Sequence, residues 1–224
     1  MISKYIDHTL LKATASEMDI KTLCEEAIAN DFMSVCVNPS HVEYAKNLLS
    51  GTNVLVCTVI GFPLGANSSS TKVFETINAI SNGADEIDMV INIGRAKTHD
   101  YEYITKEIAD IVHAANGNTV KVILETCYLT NDEIKKICEC AVNAGANFVK
   151  TSTGFGTAGA TVEHVKLMKS VVGDKLGVKA SGGIRTIEVF NEMISAGATR
   201  IGTSSGVAIV ASSLEVKNDT NSSY

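Results

Sequence analysis

Tryptophan is absent from the 224 residues, proline occurs only twice, and aromatic residues make up 5% of the chain. So few rigid turn-formers point to a compact fold with short connections. The six cysteines, Cys24, Cys36, Cys57, Cys127, Cys138 and Cys140, contain no CxxC pair. On a helix Cys138 and Cys140 would project about 200° apart, at roughly 100° per residue, and could not share a metal. The five histidines form no HxxxH pair. Short-range zinc motifs are therefore excluded, and most of the cysteines read as small core residues. No apolar run reaches the roughly 18 residues that a membrane-spanning helix requires, and no signal-peptide pattern is present. The expectation is a cytoplasmic protein with reduced thiols and no membrane partner. Positive charge is in deficit, with 19 Lys and Arg against 25 Asp and Glu and a net charge of -6. This argues against a nucleic-acid partner, and any anionic ligand must find its positive charge locally. No GxGxxG follows the first strand and no GxxxxGK[ST] occurs, which removes dinucleotide-binding and P-loop readings.

What is present is ordinary globular composition, 45% hydrophobic and 20% charged, arranged in a repeat. Asn82-Gly83-Ala84, Ala144-Gly145-Ala146 and Ala196-Gly197-Ala198 each close a helical pattern, and a short apolar run follows within about three residues. This is the joint between helix and strand in a repeating βα unit. Eight strands are expected, at Tyr5-Asp7, Phe32-Val37, Val54-Val59, Glu86-Ile91, Thr119-Leu124, Phe148-Lys150, Gly177-Ala180 and Arg200-Gly202. Helices are expected to open near Ser16, Pro39, Ser69, Tyr101, Asn131, Thr161, Thr186 and Ser205. Ser16-x-x-Asp19 has the form of a capping box. Eight such units predict an α/β fold, a single-domain (β/α)8 TIM barrel over residues 1–216, with an open doubly wound sheet as the alternative. Residues 217–224 read as a polar tail that nevertheless ends in Tyr224.

Two lysines carry the functional reading. Phe148-Val149-Lys150 ends in a lysine followed by Thr-Ser-Thr-Gly, and Gly177-Val178-Lys179 repeats the arrangement 29 residues later, followed by Ala-Ser-Gly-Gly. Either lysine alone is more readily read as a strand-end residue with its head in water. Together, one βα unit apart, they would open into one pocket at the C-terminal edge of a barrel. Two ammonium groups held close repel, so one gives up its proton more readily, and a neutral amine can attack a carbonyl to form a Schiff base. The other strand ends supply Asp7, Cys36, Asp88, Lys121 and Gly202. Lys121 begins its apolar run and is expected to point inward at a deeper layer, where it counts with Asp7 and Cys36 as a candidate substrate-binding position. Asp88 is either a proton-transfer group or a structural partner of a lysine. The Gly/Ser segments after Lys150, Lys179 and Gly202, with Arg185 among them, suggest a phosphate held by loops and a helix N-terminus.

The chain resembles the deoxyribose-phosphate aldolases, a family of lysine-dependent (class I) aldolases. The resemblance runs through Ile6-Asp7-His8-Thr9-Leu10-Leu11, Val35-Cys36-Val37-Asn38-Pro39, Val59-Ile60-Gly61-Phe62-Pro63-Leu64-Gly65, Glu86-Ile87-Asp88, Lys121-Val122-Ile123-Leu124-Glu125-Thr126 and the two lysine segments through Phe155 and Arg185. It implies reversible cleavage of 2-deoxy-D-ribose 5-phosphate to acetaldehyde and D-glyceraldehyde 3-phosphate, without metal or cofactor. By the same resemblance Lys150 is the Schiff-base nucleophile, Lys179 helps it lose its proton, and Asp88 is the carboxylate of the proton relay. Asp7 and Cys36 match pocket positions. Gly154, Gly182, Gly183, Arg185, Gly202, Ser204 and Ser205 match the phosphate loops, and Tyr224 would assist proton transfer. Phe155 puts no charge beside Gly154, which leaves the phosphate to backbone amides, serines and Arg185. A homo-oligomer, a dimer first, is implied. The alternatives are another Schiff-base phosphosugar aldolase, a transaldolase-like barrel enzyme, or a catalytically silent phosphosugar-binding barrel.

Overall fold

The computed structural model describes residues 2–221, with side chains described through Leu214. Eight parallel strands close into a barrel in sequence order. They are β1 (Ile6–Leu10), β2 (Ser34–Val37), β3 (Leu55–Ile60), β4 (Glu86–Val90), β5 (Thr119–Ile123), β6 (Phe148–Lys150), β7 (Gly177–Ser181) and β8 (Arg200–Thr203). The helices are α1 (Glu17–Ala29), α2 (Val42–Leu48), α3 (Ser69–Ser81), α4 (Ile93–Lys97), α5 (Tyr101–Ala114), α6 (Asn131–Asn143), α7 (Val162–Val172), α8 (Ile187–Ser195) and α9 (Gly206–Asn221). The open-sheet alternative is thereby excluded.

Local chemistry explains most boundaries. Ser16 and Asp19 form the expected capping box at the start of α1. Thr130 and Glu133 form a second at α6. The three Gly-Ala joints end α3, α6 and α8. Their glycines have φ of +102°, +78° and +111°, a region where a side chain is strained. The following amide reaches back a full turn, Ala84 to Ala79, Ala146 to Ala141 and Ala198 to Met193, so the last carbonyls of each helix are satisfied.

Alternation along the strands then divides the molecule. Ile6, Val35, Val56, Ile87, Val120, Val149, Val178 and Ile201 face outward, fully buried in the core shared with the helices. The inward face is unusual. Barrel interiors are mostly filled by branched apolar side chains. Here Asp7, Glu86, Asp88, Lys121, Lys150, Lys179 and Arg200 occupy that face, and all are buried. Cys36, Cys57 and Val59 form, with Leu11, a small apolar cluster beside them.

Three differences from the sequence expectation bear on the site. The first strand runs Ile6–Leu10, not Tyr5–Asp7. Asp7 therefore lies in the second position of β1, paired with Ser34 and Gly202, rather than at its open end. Aspartate and histidine are poor strand formers in isolation. They are tolerated here because each has a partner on the surrounding elements. Helix α4 was not foreseen. It is five residues long and is started by the Asn92 side chain accepting from the Arg95 amide. The backbone of α9 continues to Asn221 and includes the first residues of the segment read as a tail. Tyr224 lies outside the described residues.

Candidate active site

The register of the strands assembles the cluster. Lys150 pairs directly with Lys179 across β6 and β7, and Asp88 pairs with Lys121 across β4 and β5. One carboxylate oxygen of Asp88 accepts from both Lys150 Nζ, at 2.7 Å, and Lys179 Nζ, at 2.8 Å. The other accepts from Lys121 Nζ at 2.9 Å and from the Cys57 thiol at 3.2 Å. Below this, Lys179 is also paired with Asp7. Lys121 reaches Glu86 at 2.6 Å, and Arg200 bridges Asp7 at 2.7 Å and Glu86 at 3.0 Å.

Electrostatics assign different roles to these groups. Burial works against the charge on Lys179, but the Asp7 and Asp88 carboxylates outweigh it and hold the ammonium above its ordinary pKa. Lys121 is raised in the same way, against its burial, chiefly by Asp88. Burial would raise Asp88, but Lys121, Lys150 and Lys179 together hold it well below the usual carboxylate range. Asp7 is lowered likewise, against its burial, first by Lys179. Each charged form is therefore stabilised by its neighbours. The count is uneven, with four basic groups, Lys121, Lys150, Lys179 and Arg200, against three acidic ones, Asp7, Glu86 and Asp88. Among the described residues Lys150 has one carboxylate partner where the other three have at least two.

Lys150 is also the lysine of this cluster that reaches open space. A cavity of about 240 Å³ sits over it at the C-terminal ends of β1, β6, β7 and β8. Drug-sized ligand pockets span roughly 300–1,000 Å³, so this one suits a smaller molecule. Gly154, Gly182, Gly183, Arg185, Gly202 and Ser204 line it, as the sequence led one to expect. Ser205 is not on its wall, and its amide instead donates to the Thr203 hydroxyl at 2.9 Å. Asp7, Cys36 and Lys121, read as pocket positions, are not on the wall either. All three are fully buried beneath it. Asp7 is displaced downward by the longer β1. Lys121 sits two residues below the end of β5, held by Glu86 and Asp88, so its expected deeper layer is where it lies. Cys36 packs against Leu11 and Cys57.

The sequence reading missed several residues. Glu86 and Arg200, at the base of the cluster, are found by stepping two residues back from Asp88 and Gly202 along the same strand face. Lys12, Thr153, Phe155 and Ser181 line the cavity. Lys12 adds a second cation beside Arg185. Phe155 meets Phe62 edge-on, ring centroids 5.3 Å apart. Glu125, fully shielded at the end of β5, accepts from the amide and hydroxyl of Thr153 and ties the loop after β6 in place.

Cys36, Cys57 and Asp88, and likewise Asp7, Cys57 and Glu86, present potential metal-ligand atoms within 4.8 Å of one another. Their carboxylates are already committed to buried ammonium and guanidinium groups, so a second cation there would meet like charge on every side. The donor sets suit an internal ion-pair network better than a metal.

An amine with a shared carboxylate beneath it and a cationic, glycine-walled cavity above it is the equipment of the lysine aldolases built on barrels. Comparison with known proteins puts the chain among them: it belongs to the DeoC/LacD aldolase family, whose model matches residues 1–212. A deoxyribose-phosphate aldolase of Staphylococcus saprophyticus is 60% identical over 208 residues, 93% of this chain and 94% of the relative. One from an Exiguobacterium species is 59% identical over 210 residues, covering 93% and 95%. The tetrameric deoxyribose phosphate aldolase of Aeropyrum pernix superposes with a TM-score of 0.90 at 34% identity, covering 96% of this chain and 92% of that one.

Proposed function

We propose that this protein cleaves 2-deoxy-D-ribose 5-phosphate reversibly to acetaldehyde and D-glyceraldehyde 3-phosphate through a Schiff base on Lys150. The observation that carries the reading is that, among the described residues, Lys150 alone of the buried lysines lines the cavity, while sharing one Asp88 oxygen with Lys179. The family and the names of its relatives supply the substrate.

Lys150 Nζ, as the free amine, adds to C1 of the open-chain sugar, and the resulting carbinolamine loses water to give an iminium. The C3 hydroxyl then loses its proton and the C2–C3 bond breaks. Its electron pair moves through C2 into the iminium, giving an enamine and releasing D-glyceraldehyde 3-phosphate. Protonation of the enamine at C2 and hydrolysis free acetaldehyde and Lys150. Asp88, hydrogen-bonded to both Lys150 and Lys179, is the carboxylate through which these protons pass. Lys179, whose ammonium is secured by Asp7 and Asp88, keeps positive charge directly beside Lys150. The phosphate is held by the amides of Gly182 and Gly183, by Ser204 at the approach to α9, and by Arg185 and Lys12. No cofactor or metal is needed, because the iminium is the electron sink.

The test is incubation with acetaldehyde and borohydride followed by peptide mass spectrometry. A reduced two-carbon adduct on Lys150, absent from Lys150→Ala together with all cleavage, is the expected result. Retained cleavage in Lys150→Ala, or adducts scattered over surface lysines, would overturn the assignment. A donor other than acetaldehyde would point to another Schiff-base aldolase.

A cytoplasmic location fits the lack, among the described residues, of any helix long and apolar enough to cross a membrane. A homodimer is the proposed assembly. Phe74 and Ile77, 69% and 54% exposed on one side of α3, give it apolar surface to bury. Light scattering of the intact protein decides between monomer, dimer and the tetramer described for the Aeropyrum protein.

A further inference from the structure

Ser181 stands out among the residues that line the cavity. Its side-chain oxygen is buried, yet has no hydrogen-bond partner among the described residues. A buried hydroxyl without a partner is a cost that folded proteins usually avoid. The neighbouring orphan hydroxyls of Ser152 and Thr126 do not line the cavity, whereas Ser181 does, together with Lys150.

The backbone of Ser181 is held on both sides. Its amide donates to the Thr151 hydroxyl at 3.1 Å, and its carbonyl accepts from that hydroxyl at 3.2 Å and from the Ala160 amide at 3.0 Å. Only χ1 remains to aim the hydroxyl. The space it occupies exists because residue 202 is glycine. A Cβ there would lie 2.3 Å from Ser181 Oγ and 3.1 Å from Lys179 Cε. Ser181 is therefore fixed in place, carries free hydrogen-bonding capacity, and is given room by its neighbour on β8.

Its position along the barrel tells what it would meet. Lys150 and Lys179 are directly paired, and Ser181 is the next inward residue above Lys179 on β7. Gly182 and Gly183, on the cavity wall, follow it immediately. Ser181 thus lies between the amine that takes C1 and the loop that takes the 5-phosphate. The groups of the substrate in that interval are hydroxylated carbons. C3 must remain free to exchange its proton with the relay around Asp88, which leaves the C4 hydroxyl.

We propose that Ser181 binds the C4 hydroxyl of the phosphosugar, the 2-hydroxyl of D-glyceraldehyde 3-phosphate in the condensation direction, and so selects hydroxylated acceptor aldehydes. The proposal rests on the aldolase reading and names a specificity contact within that site.

The experiment compares condensation of acetaldehyde with D-glyceraldehyde 3-phosphate and with 3-oxopropyl phosphate, which lacks the 2-hydroxyl, in the wild type and in Ser181→Ala. The wild type is expected to prefer the hydroxylated acceptor in kcat/KM, and the preference should shrink about tenfold in Ser181→Ala, the size of one modest hydrogen bond. A preference kept within twofold overturns the proposal, whether or not the overall rate falls, since a merely structural serine would slow both acceptors alike. If Ser181→Ala fails to fold by circular dichroism, Ser181→Gly takes its place. A wild type that condenses neither acceptor would instead refute the aldolase reading, and the two failures are distinct.

Discussion

A lysine in a barrel is unremarkable until its partners are counted. Lys150 shares a single carboxylate oxygen with Lys179, and that oxygen belongs to a residue that Lys121 also grips from the other side. The Lys150 amine, the proposed nucleophile, is thus held from below without being saturated. Glu86 does the opposite work, neutralising Lys121 and Arg200 at the base of the cluster, well away from the cavity. Removing one member of a buried ion pair leaves its partner uncompensated. Glu86→Gln is accordingly expected to lower stability by about 3–5 kcal/mol. Urea titration of the variant against the wild type reads this directly. A loss below about 1 kcal/mol would mean that water or rearranged neighbours replace the carboxylate.

Among the elements, the chain ends of the strands are steadied by the helices that follow them. Lys72 on α3, wholly buried, donates to the Val90 carbonyl at 2.8 Å and pairs with Glu107 of α5 at 2.9 Å. Glu107 in turn accepts from the Asn92 amide at 3.1 Å, so the exit of β4, two residues beyond Asp88, is anchored from outside the barrel. Capping sets the entry of α6. Glu133 accepts from the Thr130 amide at 2.7 Å and from Lys97 at 2.8 Å. Its burial opposes ionisation, but these bonds overcome it and bring its pKa down to about 2. Thr130→Ala is expected to cost about 1 kcal/mol, measured as a lowered urea midpoint at pH 7. Because the folded-state pKa of Glu133 is depressed, its contribution is present above its unfolded value and fades as pH falls from near 4.5 toward 2. The difference between Glu133→Ala and wild type should therefore shrink over that range.

For the whole molecule the same sign applies to the barrel interior. Asp7 and Asp88 are depressed below the usual carboxylate range, so their contribution to stability is full above about pH 4 and is lost as pH falls further toward their folded-state values. Lys121, Lys179 and Arg200 are raised, so theirs is full below the unfolded pKa of each and is lost only in strong base. The barrel is expected to show a flat stability plateau from about pH 5 to 9, cooperative acid unfolding below about pH 4, and a decline above about pH 9 as the buried thiols of Cys24, Cys57, Cys138 and Cys140, raised by burial, ionise more readily in the unfolded chain. Thermal melts across pH 2–10 check this. A maximum near neutrality with decline toward pH 9 would assign control to other groups.

The sequence by itself determined the eightfold repeat, because each Gly-Ala joint and each Ser or Thr cap is a local device that acts within one turn of helix. It also determined the lysine pair, because a strand-end lysine followed by a Gly/Ser turn recurs one βα unit apart. Only the tertiary structure decided what lies at which depth. The local pattern places Asp7 at a strand end, and nothing near it in sequence reveals that Lys179 and Arg200 wait 172 and 193 residues away to neutralise it. Glu86 and Arg200 remained unread for the same reason: an ion pair inside a closed barrel joins residues that are neighbours only once the barrel closes. Closure also set the shared contact of Lys150 and Lys179 on Asp88, 62 and 91 residues distant, and left Ser181 facing the space beside Gly202. Local propensity acts over a few residues, whereas burial and charge pairing depend on where eight strands meet.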